Sequence, residues 1–333
     1  MKNMKRMAAL CLALVLTLTA AACGKKEEEQ LREVTGESYS VAALKGPTAM
    51  GLVKLMHDAE QEDASFVNDY TFTLAASADE VAPLLIKGEL DMACVPANLA
   101  ATLYQKTEGE IVTLGINTLG VLYIVENGNA VRSMADLAGK TIVASGKGST
   151  PEYALNYLLE QNGVKPMDDV IVDWKSEHSE CVSALATGAA TIAMLPQPFV
   201  TVAQGKLPDL RVALDLTEEW DALDNGSALL TGVVVARREV VESNPAAVDA
   251  FLSDYAASVE WVNANTADAA ALIGDYGIVE AAVAEKALPY CNIVCITGTE
   301  MKDKLSGYLQ VLCDADSASV GGAMPGDDFY YGV

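Results

Sequence analysis

The sequence predicts an α/β fold of two lobes, and three observations carry that prediction. Short apolar, β-branched stretches alternate with segments whose apolar residues recur at helical spacing, the pattern of strands joined by crossover helices. One strand–turn–helix device occurs twice, as Val41–Leu44 leading into Lys45-Gly46-Pro47-Thr48 and as Thr141–Ala144 leading into Lys147-Gly148-Ser149-Thr150. Two further apolar stretches, Leu119–Val125 and Thr231–Ala236, read as strands that cross to a second lobe and back. A length of 333 residues suits two domains, each with enough chain to bury a core.

The elements follow in order. Tyr39–Leu44 predicts a strand and Pro47–Ala59 a helix, with Met50, Leu52, Val53, Leu55 and Met56 on its inner side. Tyr70–Ala75 is a strand, and Ser77 caps a helix to Lys87 with Glu80 at the capping-box position. Leu90–Val95 and Ile111–Ile116 are strands flanking a helix that Pro96-Ala97-Asn98 opens. Beyond the first crossing, Val131–Gly139 is a short helix and Thr141–Ala144 a strand. Ser149 or Thr150 then caps a helix whose first turn suits Pro151 and which Gly163 closes. Val170–Trp174, Thr191–Leu195 and Leu210–Leu216 are strands, and His178–Thr187 and Phe199–Gln204 are helices. After Thr231–Ala236 the chain reads as helices to Cys313, the longest running from Pro245 to Asn263. Strands separated by helices predict parallel sheets, and ligands bind such sheets outside the carboxyl ends of the strands. Lobe 1 is then residues 38–120 and 226–333, and lobe 2 residues 121–225. Two crossings between lobes are how a hinged, ligand-closing protein is built.

The N-terminus reads as a targeting segment. Met1–Arg6 is basic and Met7–Ala22 apolar and small, so residues 1–22 form a secretory signal peptide. Leu18-Thr19-Ala20-Ala21-Ala22-Cys23-Gly24 resembles a bacterial lipobox, which implies a lipid on Cys23 and an extracytoplasmic protein anchored to the cell membrane. Residues 23–37 are charged and without apolar periodicity, a flexible tether. The chain carries −24, and residues 1–22 hold Lys2, Lys5 and Arg6 but no acid, so the mature protein is more acidic still. That balance excludes nucleic acid as a partner. Cys94, Cys181, Cys291, Cys295 and Cys313 lie in apolar surroundings without a CxxC or a nearby histidine, which predicts buried free thiols and no metal site. A Cys291–Cys295 disulfide needs a bend, since a strand holds the two too far apart.

The predicted strand ends nominate the ligand contacts. In lobe 1 they carry Lys45, Pro47 and Thr48, then Ser77, Asn98 and Asn117; in lobe 2, Ser149, Thr150, His178 and Gln197. The two helix mouths at Thr48 and Thr150 point N–H groups and the positive end of a dipole at whatever lies before them. Lys45 and Lys147 add charge for a carboxylate or phosphate, or are simply solvated. Ser149 and Thr150 serve equally as plain caps, Asn98 and Asn117 as caps or turn residues, and Gln197 as part of a surface turn between two prolines. His178 neighbours a helix start, and His57 reads as a surface residue. Trp220, with Tyr123, Tyr153 or Phe199, suits stacking on a heteroaromatic ring.

The lipobox, the tether, Lys45–Thr48, Val95-Pro96-Ala97-Asn98, Gly146–Pro151 and Leu195-Pro196-Gln197-Pro198-Phe199, in this order, resemble ABC-transporter substrate-binding lipoproteins. The group resembled is the nitrate/sulfonate/taurine (NMT1/THI5-like) type, over the whole chain from about Ser38. The resemblance implies a type II periplasmic-binding fold with a hinge of two crossover strands and a small-molecule ligand between the lobes. It also implies docking on a membrane permease driven by a cytoplasmic ATPase. No cofactor and no catalytic residue are implied. Where this family often places an acid in the Pro-x-Pro loop, the chain has Gln197, which argues against an amine ligand. No arginine stands at these strand ends, which argues against sulfonate or nitrate; an organic anion and a pyrimidine-like heterocycle both stay open. An enzyme is disfavoured, because the chain lacks GxSxG, HExxH and GxGxxG, and Gly146-Lys147-Gly148 lacks the hydroxyl residue of a P-loop. A surface lipoprotein that senses ligand or binds another protein is the alternative.

Overall fold

A computed structural model describes residues 35–61 and 65–333. The signal peptide, Cys23 and all of the tether before Thr35 lie outside the described residues. The chain first builds β1 (Ser38–Leu44), α1 (Pro47–Met50), α2 (Val53–Ala59), β2 (Asp69–Ala75), α3 (Ala78–Lys87), β3 (Met92–Pro96), α4 (Ala97–Lys106) and β4 (Ile111–Leu119). Then come β5 (Leu122–Glu126), β6 (Thr141–Ser145), α5 (Thr150–Gln161), β7 (Ile171–Lys175), α6 (His178–Ala186), β8 (Ile192–Pro196), α7 (Phe199–Lys206), β9 (Arg211–Asp215) and α8 (Leu216–Asp221). The last part holds β10 (Leu230–Arg237), α9 (Arg238–Ser243), α10 (Pro245–Ala264), α11 (Thr266–Asp275), α12 (Ala281–Ala287), β11 (Ile293–Ile296) and α13 (Gly298–Ala315).

Two sheets result, one ordered β11-β4-β10-β3-β1-β2 and the other β7-β6-β8-β5-β9. β1 runs parallel to β2 and β3, and β6 parallel to β7 and β8, as helical crossovers require. The sheets are nevertheless mixed rather than parallel. β10 runs antiparallel to β3 and β4, and β5 antiparallel to β8 and β9. β5 enters directly from β4 of the other sheet. β10 enters from the other sheet by way of the short α8 and residues 222–229 rather than by a helical crossover within its own sheet. Leu119 pairs with Leu230, so the outgoing and returning segments lie side by side. The predicted strand Leu119–Val125 is divided there by Gly120-Val121. A Cβ on Gly120 would stand 2.3 Å from the Thr217 hydroxyl oxygen and 2.8 Å from Leu229, so only glycine fits the junction. Asn292 braces it, donating to the Gly120 carbonyl at 2.6 Å and accepting from the Leu119 amide at 3.1 Å.

Several elements depart from the sequence reading. The helix expected over Pro47–Ala59 is broken at Gly51-Leu52, because the Ser258 hydroxyl of α10 enters its ladder. It donates to the Gly51 carbonyl at 2.6 Å and accepts from the Leu55 amide at 3.1 Å, replacing the bond those two groups would make. The short helix expected at Val131–Gly139 is a 3₁₀ turn, Met134–Leu137, fastened by a Ser133–Asp136 capping box. The Ser77 hydroxyl bonds the Glu80 carboxylate at 3.2 Å instead of capping α3. β11 sits inside the region read as wholly helical, and Leu216 starts α8 rather than ending a strand.

Packing joins the two sheets. One apolar core includes Ile116 and Val233 of the first sheet, Ile124 and Ile142 of the second, and Leu158, Trp220 and Tyr308 between. Met301, Leu305, Tyr308, Leu309 and Leu312 of α13 are fully buried at helical spacing and pack against α4 and α5. Each such side chain contributes about 1.5–3 kcal/mol by leaving water. Cys94, Cys181 and Cys291 are buried, Cys295 and Cys313 partly so, and all five are free thiols. Burial pushes Cys94 and Cys291 up to about 12. Among the described residues no helix is long and apolar enough to cross a membrane.

Candidate functional site

Strand ends of both sheets and both crossings enclose a cavity of about 360 Å³. Ala78 of α3 and Asn98 and Leu99 of α4 line it from the first sheet. Ser149, Thr150 and Pro151, with His178 of α6 and Pro196 of β8, line it from the second. Val121 and Leu122 of the outgoing crossing and Leu229–Thr231 of the returning one complete the wall. No Asp, Glu, Lys or Arg is among these residues. The lining is therefore mainly apolar, with four side chains from the predicted set and Thr231 as its polar points.

The four predicted side chains are held by hydrogen bonds. The Thr150 hydroxyl donates to the Asn98 side-chain carbonyl at 3.4 Å, joining α5 of one sheet to α4 of the other. The Asn98 amide reaches the Ser319 carbonyl at 3.5 Å. Ser149 donates to the Gly146 carbonyl at 2.7 Å, which orders the glycine turn and leaves the hydroxyl lone pairs free. His178 hydrogen-bonds Ser145 through Nδ1, and its ring packs on Phe199 with centroids 5.0 Å apart. Burial, with no charged partner, holds its imidazole below the ordinary 6.5.

Helix starts supply the remaining polarity. α3, α4 and α5 all begin at the cavity, and none has its first amides capped by a side chain at its N-cap. α4 also has no acid in its first turn. The α4 mouth presents free N–H groups and partial positive charge. At α5, by contrast, Pro151 has no N–H and the Glu152 amide bonds the Ser149 carbonyl at 3.0 Å, which leaves the Thr150 amide. The mouths of α5 and α6 each carry a glutamate on preceding amides: Glu152 accepts from Gly148 at 2.6 Å, and Glu180 from Ser176 and Glu177 at 2.8 and 3.2 Å.

Asn98, Ser149, Thr150 and His178 thus come together in one cavity. The other predicted residues lie elsewhere. Thr48 is buried, its hydroxyl donating to the Leu44 carbonyl at 3.0 Å and its own carbonyl accepting from Asn117 at 3.2 Å. Asn117 is fully buried and also accepts from Thr118 at 3.0 Å, a bracket within the first sheet. Pro47 opens the four-residue α1, Lys45 is exposed, and Ser77 is exposed on Glu80. Gln197 is buried and accepts from the amide and hydroxyl of Thr201 at 3.4 and 3.0 Å, holding the start of α7. Lys147 is exposed. Trp220 is unavailable for stacking on a ligand, since it is fully buried against Tyr157 and Tyr308 and donates to Ser227 at 2.9 Å. Beyond the immediate neighbours of predicted residues and strand ends, the lining residues that sequence reasoning missed are Val121, Leu122 and Leu229–Thr231. Their signal was present in the predicted crossings, because a crossing strand must pass the floor of a cleft between lobes.

A family model described as "ABC transporter, phosphonate, periplasmic substrate-binding protein" matches residues 67–287. The chain belongs to this family. The binding protein also shares its fold with solved structures. An ABC transporter protein from Parabacteroides distasonis superposes with a TM-score of 0.74 at 23% identity, covering 88% of this chain and 98% of that one. The periplasmic aliphatic sulphonate binding protein SsuA from Escherichia coli gives 0.69 at 18% identity, covering 88% and 96%. The ligand-binding component of an ABC-type import system from Staphylococcus aureus, with zinc bound, gives 0.65 at 16%, also covering 88% and 96%. No curated protein sequence matches the chain. The resemblance read from the sequence is borne out for an ABC-transporter periplasmic substrate-binding protein and for the fold, a two-lobed type II periplasmic-binding architecture.

Proposed function

We propose that the protein captures a small organic anion between its two lobes and delivers it to a membrane permease driven by a cytoplasmic ATPase. The observation that carries this reading is the cavity itself, apolar-walled and free of charged side chains, where uncapped helix starts from both sheets meet. Backbone N–H groups take the part that arginine would otherwise play, so a compact oxyanion head suits the mouths and a short apolar body suits the walls. Phosphonates, sulfonates and carboxylates share that chemistry. The burial of Trp220 removes the stacking support for a heterocyclic ligand. Lobes 38–120 with 226–333 and 121–225 close about Gly120 and the returning strand, and ligand contacts made only in the closed state shift the population toward it. The lipid on Cys23 keeps the protein at the membrane outside the cytoplasm.

A thermal-shift and calorimetric panel of alkylphosphonates, alkanesulfonates, carboxylates and neutral pyrimidines tests the reading. An anion present at a hundredfold excess over its Kd stabilises the protein by about 2.7 kcal/mol. A response to pyrimidines alone, or to none of the panel, overturns it. Replacement of Cys23 by Ser releases the protein from membranes if the anchor is correct, and leaves its partitioning unchanged if it is not.

A further inference from the structure

His178 is built into the cleft differently from its neighbours. It is the first residue of α6, whose Glu180 accepts from the two amides that precede the helix, and it borders the cavity. Ser145 at the end of β6 holds Nδ1, and Phe199 of α7 packs on the ring. The imidazole also borders a second, outer groove lined by Ser145, Ser176, Glu177 and Phe199, so it forms the wall between that groove and the main cavity. Among the described residues Nε2 has no protein partner.

The ionisable groups around it are otherwise engaged. On α6 and its cap, Glu180 faces backbone amides and Glu177 accepts from the Ser179 hydroxyl at 3.0 Å. Cys181 lies beneath, with burial pushing its thiol up to about 11. On β7, Lys175 pairs with Asp173 at 2.9 Å. The facing elements, α4, α5 and the two crossings, bring no charge to the cavity.

We infer that His178, oriented by Ser145, offers its remaining ring nitrogen to the bound solute and makes the affinity for an anion rise as pH falls. The inference rests on the anion reading above. Its sign follows from linkage. In the empty cleft burial disfavours the imidazolium; an anion beside the ring favours it and raises the pKa. Affinity is then constant at high pH, increases as pH falls through the bound and then the free pKa, and levels below both.

The test is calorimetry with 1-propanesulfonate, whose charge is constant between pH 8 and 5, together with NMR titration of the two histidines. Kd should fall about tenfold for each unit by which the bound sulfonate raises the imidazole. The His178 resonance should shift its midpoint upward on binding. His178→Gln should bind with a flat pH profile. Ser145→Ala should move the His178 midpoint, and Ser145→Thr should keep it. Binding with the same pH profile in wild type and His178→Gln, or an unmoved His178 midpoint, overturns the inference and leaves the anion reading standing. Failure of propanesulfonate, methylphosphonate and acetate to bind at any pH overturns both.

Discussion

The turns Lys45-Gly46-Pro47-Thr48 and Lys147-Gly148-Ser149-Thr150 share a sequence pattern and a place at the end of a strand, yet the structure uses them differently. The second opens the twelve-residue α5 and puts Ser149 and Thr150 on the cavity. The first opens only four residues of helix before Ser258 interrupts it, and its threonine is buried against β10 and Asn117. The cause is what lies in front of each turn. Gly232 of the returning strand lies against Thr48, where a Cβ would stand 2.4 Å from its methyl group and 2.5 Å from the Asn117 side-chain oxygen. That mouth is covered by the first sheet's own strand. Before Thr150 stands Asn98 of the opposite sheet, at hydrogen-bond distance and with open space beside it. A helix mouth can receive a ligand only when nothing from its own lobe covers it.

Six substitutions sharpen or break this contrast. Gly232→Val drives a side chain into the bracket around Thr48 and should cost about 3 kcal/mol or more, read by urea unfolding. A loss below 1 kcal/mol means that the first turn is not packed core. Asn98→Ala and Thr150→Ala should each weaken anion binding about tenfold, the worth of a hydrogen bond to a charged group, with little change in unfolding midpoint. Unchanged affinity in both variants moves the ligand out of this cavity. Thr48→Val keeps shape but loses the hydroxyl bond to Leu44, so stability should fall by about 1 kcal/mol while affinity holds. A Thr48 variant that folds normally and loses ligand would make the two turns functionally equivalent after all. Lys45→Gln and Lys147→Gln should change stability by less than about 0.5 kcal/mol and affinity by less than twofold, both side chains being exposed. A tenfold loss in the Lys147 variant would bring a charge into the site.

Much of the architecture is local and was therefore legible. The alternation of strands and helices, the long helix from Pro245, and Thr231–Ala236 as the return strand depend on periodicity and caps within a few residues. Asn98, Ser149, Thr150 and His178 were legible because strand ends of α/β sheets face ligands and these positions follow strands directly. β11 was not legible: four residues, Ile293–Ile296, look like any apolar run until they pair with β4. The reading of Gln197 as a ligand contact rested on the flanking prolines and on the resembled loop; its side-chain carbonyl accepts from Thr201 one turn ahead, and it is not among the residues lining the cavity.

By itself, then, the sequence determined an acidic, two-lobed α/β protein of the binding-protein class, and it nominated the positions at which a ligand is expected. These follow from composition, from hydrophobic period and from residues within one helical turn of each other. Tertiary structure alone decided which nominees share a cavity. The Ser258 hydroxyl that breaks the first helix lies 207 residues from Gly51, and Asn117 reaches Thr48 across 69. Such contacts depend on how strands stack into a sheet, and a threonine's immediate neighbours in the chain carry no record of which strand will lie across it.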